Sequence, residues 1–157
     1  MKFLYRIFPL ILLFILPVTL NAQKKINLQG AWEKIALKIN GKDAPLEGRQ
    51  IKLLTANHYS WVKQDKKASE ALLAKGTLRD SLAAYHDEFG AGTYKIVGDD
   101  YTETNEFFVE PQYIGKSVTF KFKIEKGLWH IKGTFTHFAN GKKIDEEVLE
   151  ETWKRID

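Results

Sequence analysis

"SVTFKFKIEKGLWHIKGTFTHFANGKKIDEEV", residues 117–148, is the stretch that decides the fold. Its first nine residues place apolar side chains at every second position, which is the pattern of a β-strand with one buried face. Lys126-Gly127 then marks a turn, and Asn140-Gly141 marks a second one. Asn-Gly is the strongest two-residue hairpin signal, because both residues tolerate positive φ. The stretch therefore predicts three antiparallel strands joined as a meander.

The same alternation extends to both sides of this stretch. We predict eight strands, at residues 32–39, 50–55, 58–64, 92–97, 101–110, 117–125, 128–138 and 142–156, with a loop at 40–48. An eight-stranded meander removes its exposed edges by closing into a barrel, and a barrel of that size can hold one small ligand. The predicted fold class is all-β, an eight-stranded antiparallel up-and-down barrel.

One internal segment does not alternate. Between Ala68 and Tyr85, leucines and alanines recur at helical spacing, and Ser69 and Thr77 are suitable N-cap residues. We expect one or two short helices here, inserted between the third and fourth strands. A role for this insert as a lid over the barrel is a hypothesis.

The N-terminus has the pattern of a cleavable signal peptide. Lys2 and Arg6 precede an apolar run from Ile7 to Leu20, and Ala22 offers a small residue before a polar start. A membrane anchor is the alternative, but the run is interrupted by prolines and is shorter than the ~20 residues that a spanning helix needs. We expect residues 1–22 to be removed and residues 23–157 to form one domain. The expected location is secreted or periplasmic, without a lipid anchor, because the chain has no cysteine.

Composition excludes several classes of partner. Removing two basic residues with the signal peptide leaves 22 Lys and Arg against 20 Asp and Glu, a net charge of +2 instead of +4. That charge is too small to favour nucleic acid or an anionic membrane surface, and the predicted strands separate rings from lysines on opposite faces. The four histidines lack metal-ligand spacing, and no cofactor motif occurs. We predict no metal, no cofactor and no membrane span after cleavage.

Both ends of the chain resemble a known family. "GAW" at Gly30 to Trp32 is similar to the Gly-x-Trp marker of lipocalins, and Arg155 in "TWKRID" stands where those proteins keep a basic residue. With "HYSWV", "GTYKIVGDDYTE" and "EETWKR", nearly all of residues 28–156 resembles the lipocalin-like domains of secreted Bacteroidetes proteins, within the calycin superfamily. The resemblance implies a barrel closed at one end, where Trp32 is the plug and Arg155 packs across it.

Alternation also predicts the interior of the barrel. The expected ligand-binding residues form aromatic walls around one polar group, and they are Trp61, Tyr94, Glu103, Phe120, Phe122, Trp129 and Phe135. Further inward candidates are Ile51, Leu53, Tyr59, Ile96, Tyr101, Phe107, Ile131, Glu151 and Trp153. A register shifted by one residue would instead place Thr102, Thr104 and Glu106 inside and Glu103 in water.

Three functions remain open from the sequence. The first is binding of a small hydrophobic or amphipathic molecule in the barrel, with Glu103 as the polar anchor held by Arg155, Tyr94 or the ligand. The second is a packed barrel that acts as an interaction or inhibitor module through its loops and the 68–85 insert. The third is an isomerase or lyase that uses Glu103 and Tyr94 as acid-base partners.

Overall fold

The structure is a computed structural model that describes residues 27–65 and 88–157. The predicted signal peptide at 1–22 and the predicted helical insert at 68–85 both lie outside the described residues. Among the residues described, no helix is long and apolar enough to cross a membrane.

Eight long strands form a closed antiparallel barrel. In the described residues the strands are β1 (Gly30–Ile39), β2 (Lys42–Ala44), β3 (Gly48–Leu54), β4 (His58–Asp65), β5 (Glu88–Val97), β6 (Asp100–Phe108), β7 (Ser117–Glu125), β8 (Leu128–Ala139) and β9 (Lys142–Arg155). Each long strand pairs with its neighbour, and β9 returns to pair with β1. The predicted all-β, eight-stranded antiparallel barrel is confirmed. The described helix is limited to one 3₁₀ turn, Pro111–Tyr113.

The predicted tight turns explain the meander. Asn140 and Gly141 have φ values of 51° and 72°, which is the left-handed conformation that a two-residue hairpin with the natural strand twist requires. Most strand boundaries agree with prediction to within two residues, and the larger differences are at two places. Strand β2 occupies part of the expected loop at 40–48 and pairs with the end of β1, and β5 begins at Glu88 instead of at residue 92.

The predicted inward face of β3 is wrong. Lys52 and Leu54 are buried at 4% exposure each, whereas Leu53 is 50% exposed, so Ile51 and Leu53 point outward. The apolar residues at 51, 53 and 54 fit either face, and a lysine is disfavoured inside unless its charge is paired. Here the pairing comes from a distant strand, which the local pattern of β3 does not reveal.

The predicted inward position of Phe107 is also wrong. A β-bulge leaves Glu106 without a partner, since Gly92 pairs with Asn105 and Ala91 pairs with Phe107. Asn105 continues the inward alternation of Tyr101 and Glu103 and is buried. The extra residue reverses the alternation beyond it, so Phe107 is 64% exposed and Phe108 faces the interior. A similar irregularity between Lys34 and Ala36 in β1 turns Leu37 toward the interior.

Candidate functional site

The narrow end of the barrel is filled by indole and guanidinium groups. Arg155 lies over the ring of Trp32, with its Cζ 5.2 Å from the ring centroid, and also donates to the backbone oxygen of Gln29. Trp32 Nε1 donates to the Leu28 oxygen at 2.8 Å, and its ring packs edge-on against Trp129 at 5.5 Å. These contacts fill this end of the barrel.

A buried ion pair lies above this aromatic layer. Lys52 Nζ donates to Glu103 Oε1 at 2.5 Å, and the side chains are 4% and 6% exposed. Tyr101 donates to the same oxygen at 2.6 Å. The ammonium group is also surrounded by rings at 5.0–5.8 Å, those of Tyr59, Tyr101, Trp129 and Trp153. A lysine charge at this depth is therefore stabilised by one carboxylate and several π faces.

A second buried pair adjoins the first. Lys34 contacts Glu151, with both side chains 9% exposed, and Trp153 Nε1 donates to the other Glu151 oxygen at 3.0 Å. Burial alone would raise the pKa of Glu151. The charges of Lys34 and Lys52, with the hydrogen bonds from Lys34 and Trp153, outweigh burial and hold this pKa below its ordinary value. The two pairs form a continuous set of alternating charges across the interior.

Tyrosine hydroxyls next to this charged layer are held in their protonated form. Burial, followed by the negative charge of Glu103, raises the pKa of Tyr101 well above its ordinary value. The same causes raise the pKa of Tyr59, whose hydroxyl donates to Asn105. Both hydroxyls therefore act as hydrogen-bond donors that fix the polar acceptors of the layer.

A cavity of about 440 Å³ lies above the charged layer and leads to the open end of the barrel. Its volume is within the range of small-molecule sites. The charged layer lines the bottom of the cavity, and apolar residues from both ends of the sequence line its sides. The residues that line it are Lys34, Leu37, Ile39, Ala44, Pro45, Leu46, Glu47, Gly48, Gln50, Lys52, Trp61, Lys63, Glu88, Glu103, Asn105, Phe108, Val118, Phe120, Phe135, Glu147, Leu149 and Glu151.

The structure divides the expected ligand-binding residues between two levels. Trp61, Glu103, Phe120 and Phe135 line the cavity. The other three belong to the packing around and below the charged layer and do not line the cavity, and they are Tyr94, Phe122 and Trp129. The interior therefore consists of a packed lower half and an open upper half.

The expected partners of Glu103 are different in the structure. Its carboxylate contacts Lys52 and Tyr101, whereas Arg155 lies at the barrel base and Tyr94 donates to the Thr55 oxygen at 2.7 Å. Glu103 and Tyr94 are cross-strand neighbours, but their polar atoms have separate partners. The structure does not bring them together as an acid-base pair.

Several important residues were absent from the sequence prediction. Lys34 lies two residues after Trp32 on the same strand, so simple alternation could have identified it. Asn105 lies two residues after Glu103 on the face already expected to be inward, so alternation could have identified it as well. Lys52 required the correct face of β3. Tyr113 belongs to the 3₁₀ turn, yet its ring is buried and stacks on Phe135 at 5.4 Å. A turn has no periodicity that predicts such burial.

The histidines of the described region are separated. His130 contacts Thr152, and His137 Nε2 lies 3.1 Å from Glu147. Among residues 27–65 and 88–157, no group of three or more His, Cys, Asp or Glu side chains could hold a metal ion.

Comparison with known proteins supports the fold alone. No protein family model matches the chain, and no curated protein matches it either. Among solved structures, the barrel is similar to the crystal structure of the uncharacterized protein YLR301w from Saccharomyces cerevisiae, with a TM-score of 0.55 and 11% sequence identity. The similarity covers 81% of this chain and 53% of that chain, so this chain spans about half the length of the yeast protein.

Proposed function

We propose that this protein is a secreted or periplasmic lipocalin-like carrier that binds a small amphipathic molecule inside its barrel. The observation that carries the proposal is the 440 Å³ cavity, which has a charged bottom and apolar sides. Residues 1–22 support the location, because they have the pattern of a cleavable signal peptide.

The two levels of the cavity match the two parts of an amphipathic ligand. Leu37, Phe108, Phe135 and Leu149 offer apolar contacts in the upper part. Polar atoms of the Lys52–Glu103 pair and of Asn105 line the lower part. An apolar body therefore removes hydrocarbon surface from water, while a polar head group finds hydrogen-bond partners at the bottom.

The direct test is to identify a retained molecule. Native mass spectrometry of the protein purified from its own host should reveal a noncovalent mass that disappears after denaturation. Fluorescence titration with a panel of lipids and aromatic molecules provides the second measurement, because Trp61 lines the cavity and should respond to occupancy. The absence of a retained mass together with no fluorescence response would overturn the binding proposal and favour the packed interaction module.

A further inference from the structure

We infer that the ligand carries a positive charge, as an amphipathic amine does; this inference rests on the binding function proposed above. Among the described residues, the cavity is lined by three lysines and five glutamates, a net charge of −2. This sign is opposite to the positive charge of the whole chain. The local charges, which lie closest to a bound molecule, therefore favour a cation.

Each lining lysine already has a carboxylate partner. Lys34 contacts Glu151, Lys52 contacts Glu103 at 2.5 Å, and Lys63 contacts Glu88 at 2.9 Å. A ligand carboxylate would have to take a lysine away from its glutamate or remain beside additional negative charges. Either arrangement leaves a poorly compensated charge in a partly desolvated space. The pairing therefore disfavours fatty carboxylates.

Three of the five glutamates that line the cavity pair with its three lysines. The two that remain are Glu47 and Glu147, and both line the upper part of the cavity. Glu147 is 24% exposed at its side chain, and its described neighbour is His137, which is charged only when it is protonated. A carboxylate in this half-buried position attracts a cation more strongly than one in bulk water, because the effective dielectric constant is lower.

An aromatic ring stands beside Glu147 on the neighbouring strand. Phe135 and Glu147 are direct cross-strand partners between β8 and β9. Trp61 on β4 also lines the cavity and supplies a second ring. A ring face and a carboxylate together are the groups that bind an ammonium ion, and both repel an anion. Both groups are present where Phe135 and Glu147 line the cavity.

The experiment compares three probes that share one chain length: decylamine, decanol and decanoate. Binding to the full chain is measured at pH 7 by calorimetric titration, where an alkyl amine is protonated and a carboxylate is ionised. We expect decylamine to bind at least about tenfold more tightly than decanoate, with decanol between them. The alcohol reports the contribution of the apolar chain alone.

Two variants test the role of the upper carboxylate. Glu147→Gln should weaken decylamine about threefold to fivefold and leave decanol unchanged, since it removes charge and little volume. The matched control is Glu125→Gln, an acid at the end of β7 that does not line the cavity, and it should leave the binding of both probes unchanged.

The outcomes separate this inference from the proposed function. Equal binding of all three probes, or tightest binding of decanoate, would overturn the positive charge of the ligand and leave the carrier function standing. Failure of every probe, together with the lack of any retained molecule, would overturn the carrier function itself. If Glu147→Gln prefers decylamine over decanoate as strongly as the unaltered chain does, Glu147 is not the group that attracts the positive charge of the ligand.

Discussion

Lys52 and Glu103 form an ion pair at 2.5 Å between strands β3 and β6, which are not adjacent in the barrel. The pair therefore spans the interior instead of running along one sheet surface. Its two side chains are almost completely buried, so neither charge has water to replace its partner. This contact connects the stability of the barrel to the polar bottom of its cavity.

Lys52→Met should destabilise the protein by about 3–5 kcal/mol, because it leaves the Glu103 charge buried without its partner. The double variant Lys52→Met with Glu103→Leu should recover most of that loss, since it removes both charges together. Urea unfolding measures the free energies. The control is Lys121→Met, at an exposed pair with Asp99 and Asp100, and it should leave stability unchanged. A double variant no more stable than Lys52→Met would contradict the paired arrangement.

Trp32→Ala should cost about 3–5 kcal/mol, because it removes a 3% exposed indole from the closed end of the barrel. Ile144→Ala is the control, since Ile144 is 65% exposed and contributes little to packing. Thermal and urea unfolding are the measurements. Equal stability of the two variants would show that Trp32 does not plug the barrel.

The free energy of unfolding should fall in acid, partly because the Glu151 carboxylate becomes protonated. Its pKa in the folded protein lies below the ordinary value of 4.5, so the ionised carboxylate favours folding. That contribution is fully present above about pH 4.5 and is lost as the pH falls through the lower, folded-state pKa.

The variant Glu151→Gln tests this dependence by unfolding at a series of pH values between 7 and 3. The free energy of unfolding of the variant should decline less steeply below pH 4.5 than that of the unaltered chain. Glu150→Gln, at the neighbouring and partly exposed position, should change the slope less because solvent screens its pair with Lys132. An unchanged slope in Glu151→Gln would argue against the depressed pKa.

Leu149→Trp distinguishes an open cavity from a packed interior. Leu149 lines the cavity, so an indole at this position should fill empty space, reduce ligand affinity and leave stability within about 1 kcal/mol. In a close-packed interior the same change would overpack the core and cost about 1–3 kcal/mol. Titration of a bound probe and urea unfolding, carried out on the same variant, give the two readings.

The strand order was accessible from sequence because its signals are local. Alternation over 117–125 and the positive-φ turn at Asn140-Gly141 depend on residues close together in the chain, and both are present in the structure. Trp32 and Arg155, which lie near opposite ends of the described chain, are cross-strand partners. Closure between the first and last strands followed from the number of strands and their need for pairing.

The interior chemistry was decided only by the tertiary structure. Lys52 points inward, and Leu53 outward, because the Glu103 carboxylate lies inside the barrel and pairs with the lysine. Glu103 is 51 residues away in the sequence, so the local pattern of β3 does not reveal this pairing. The exposure of Phe107 depends on one unpaired residue in β6, since a single bulge reverses every later side chain. The sequence by itself determined a closed β-barrel, through local periodicity and strand pairing. The tertiary structure decided which charges meet inside it and where space remains, because those properties depend on contacts between distant strands.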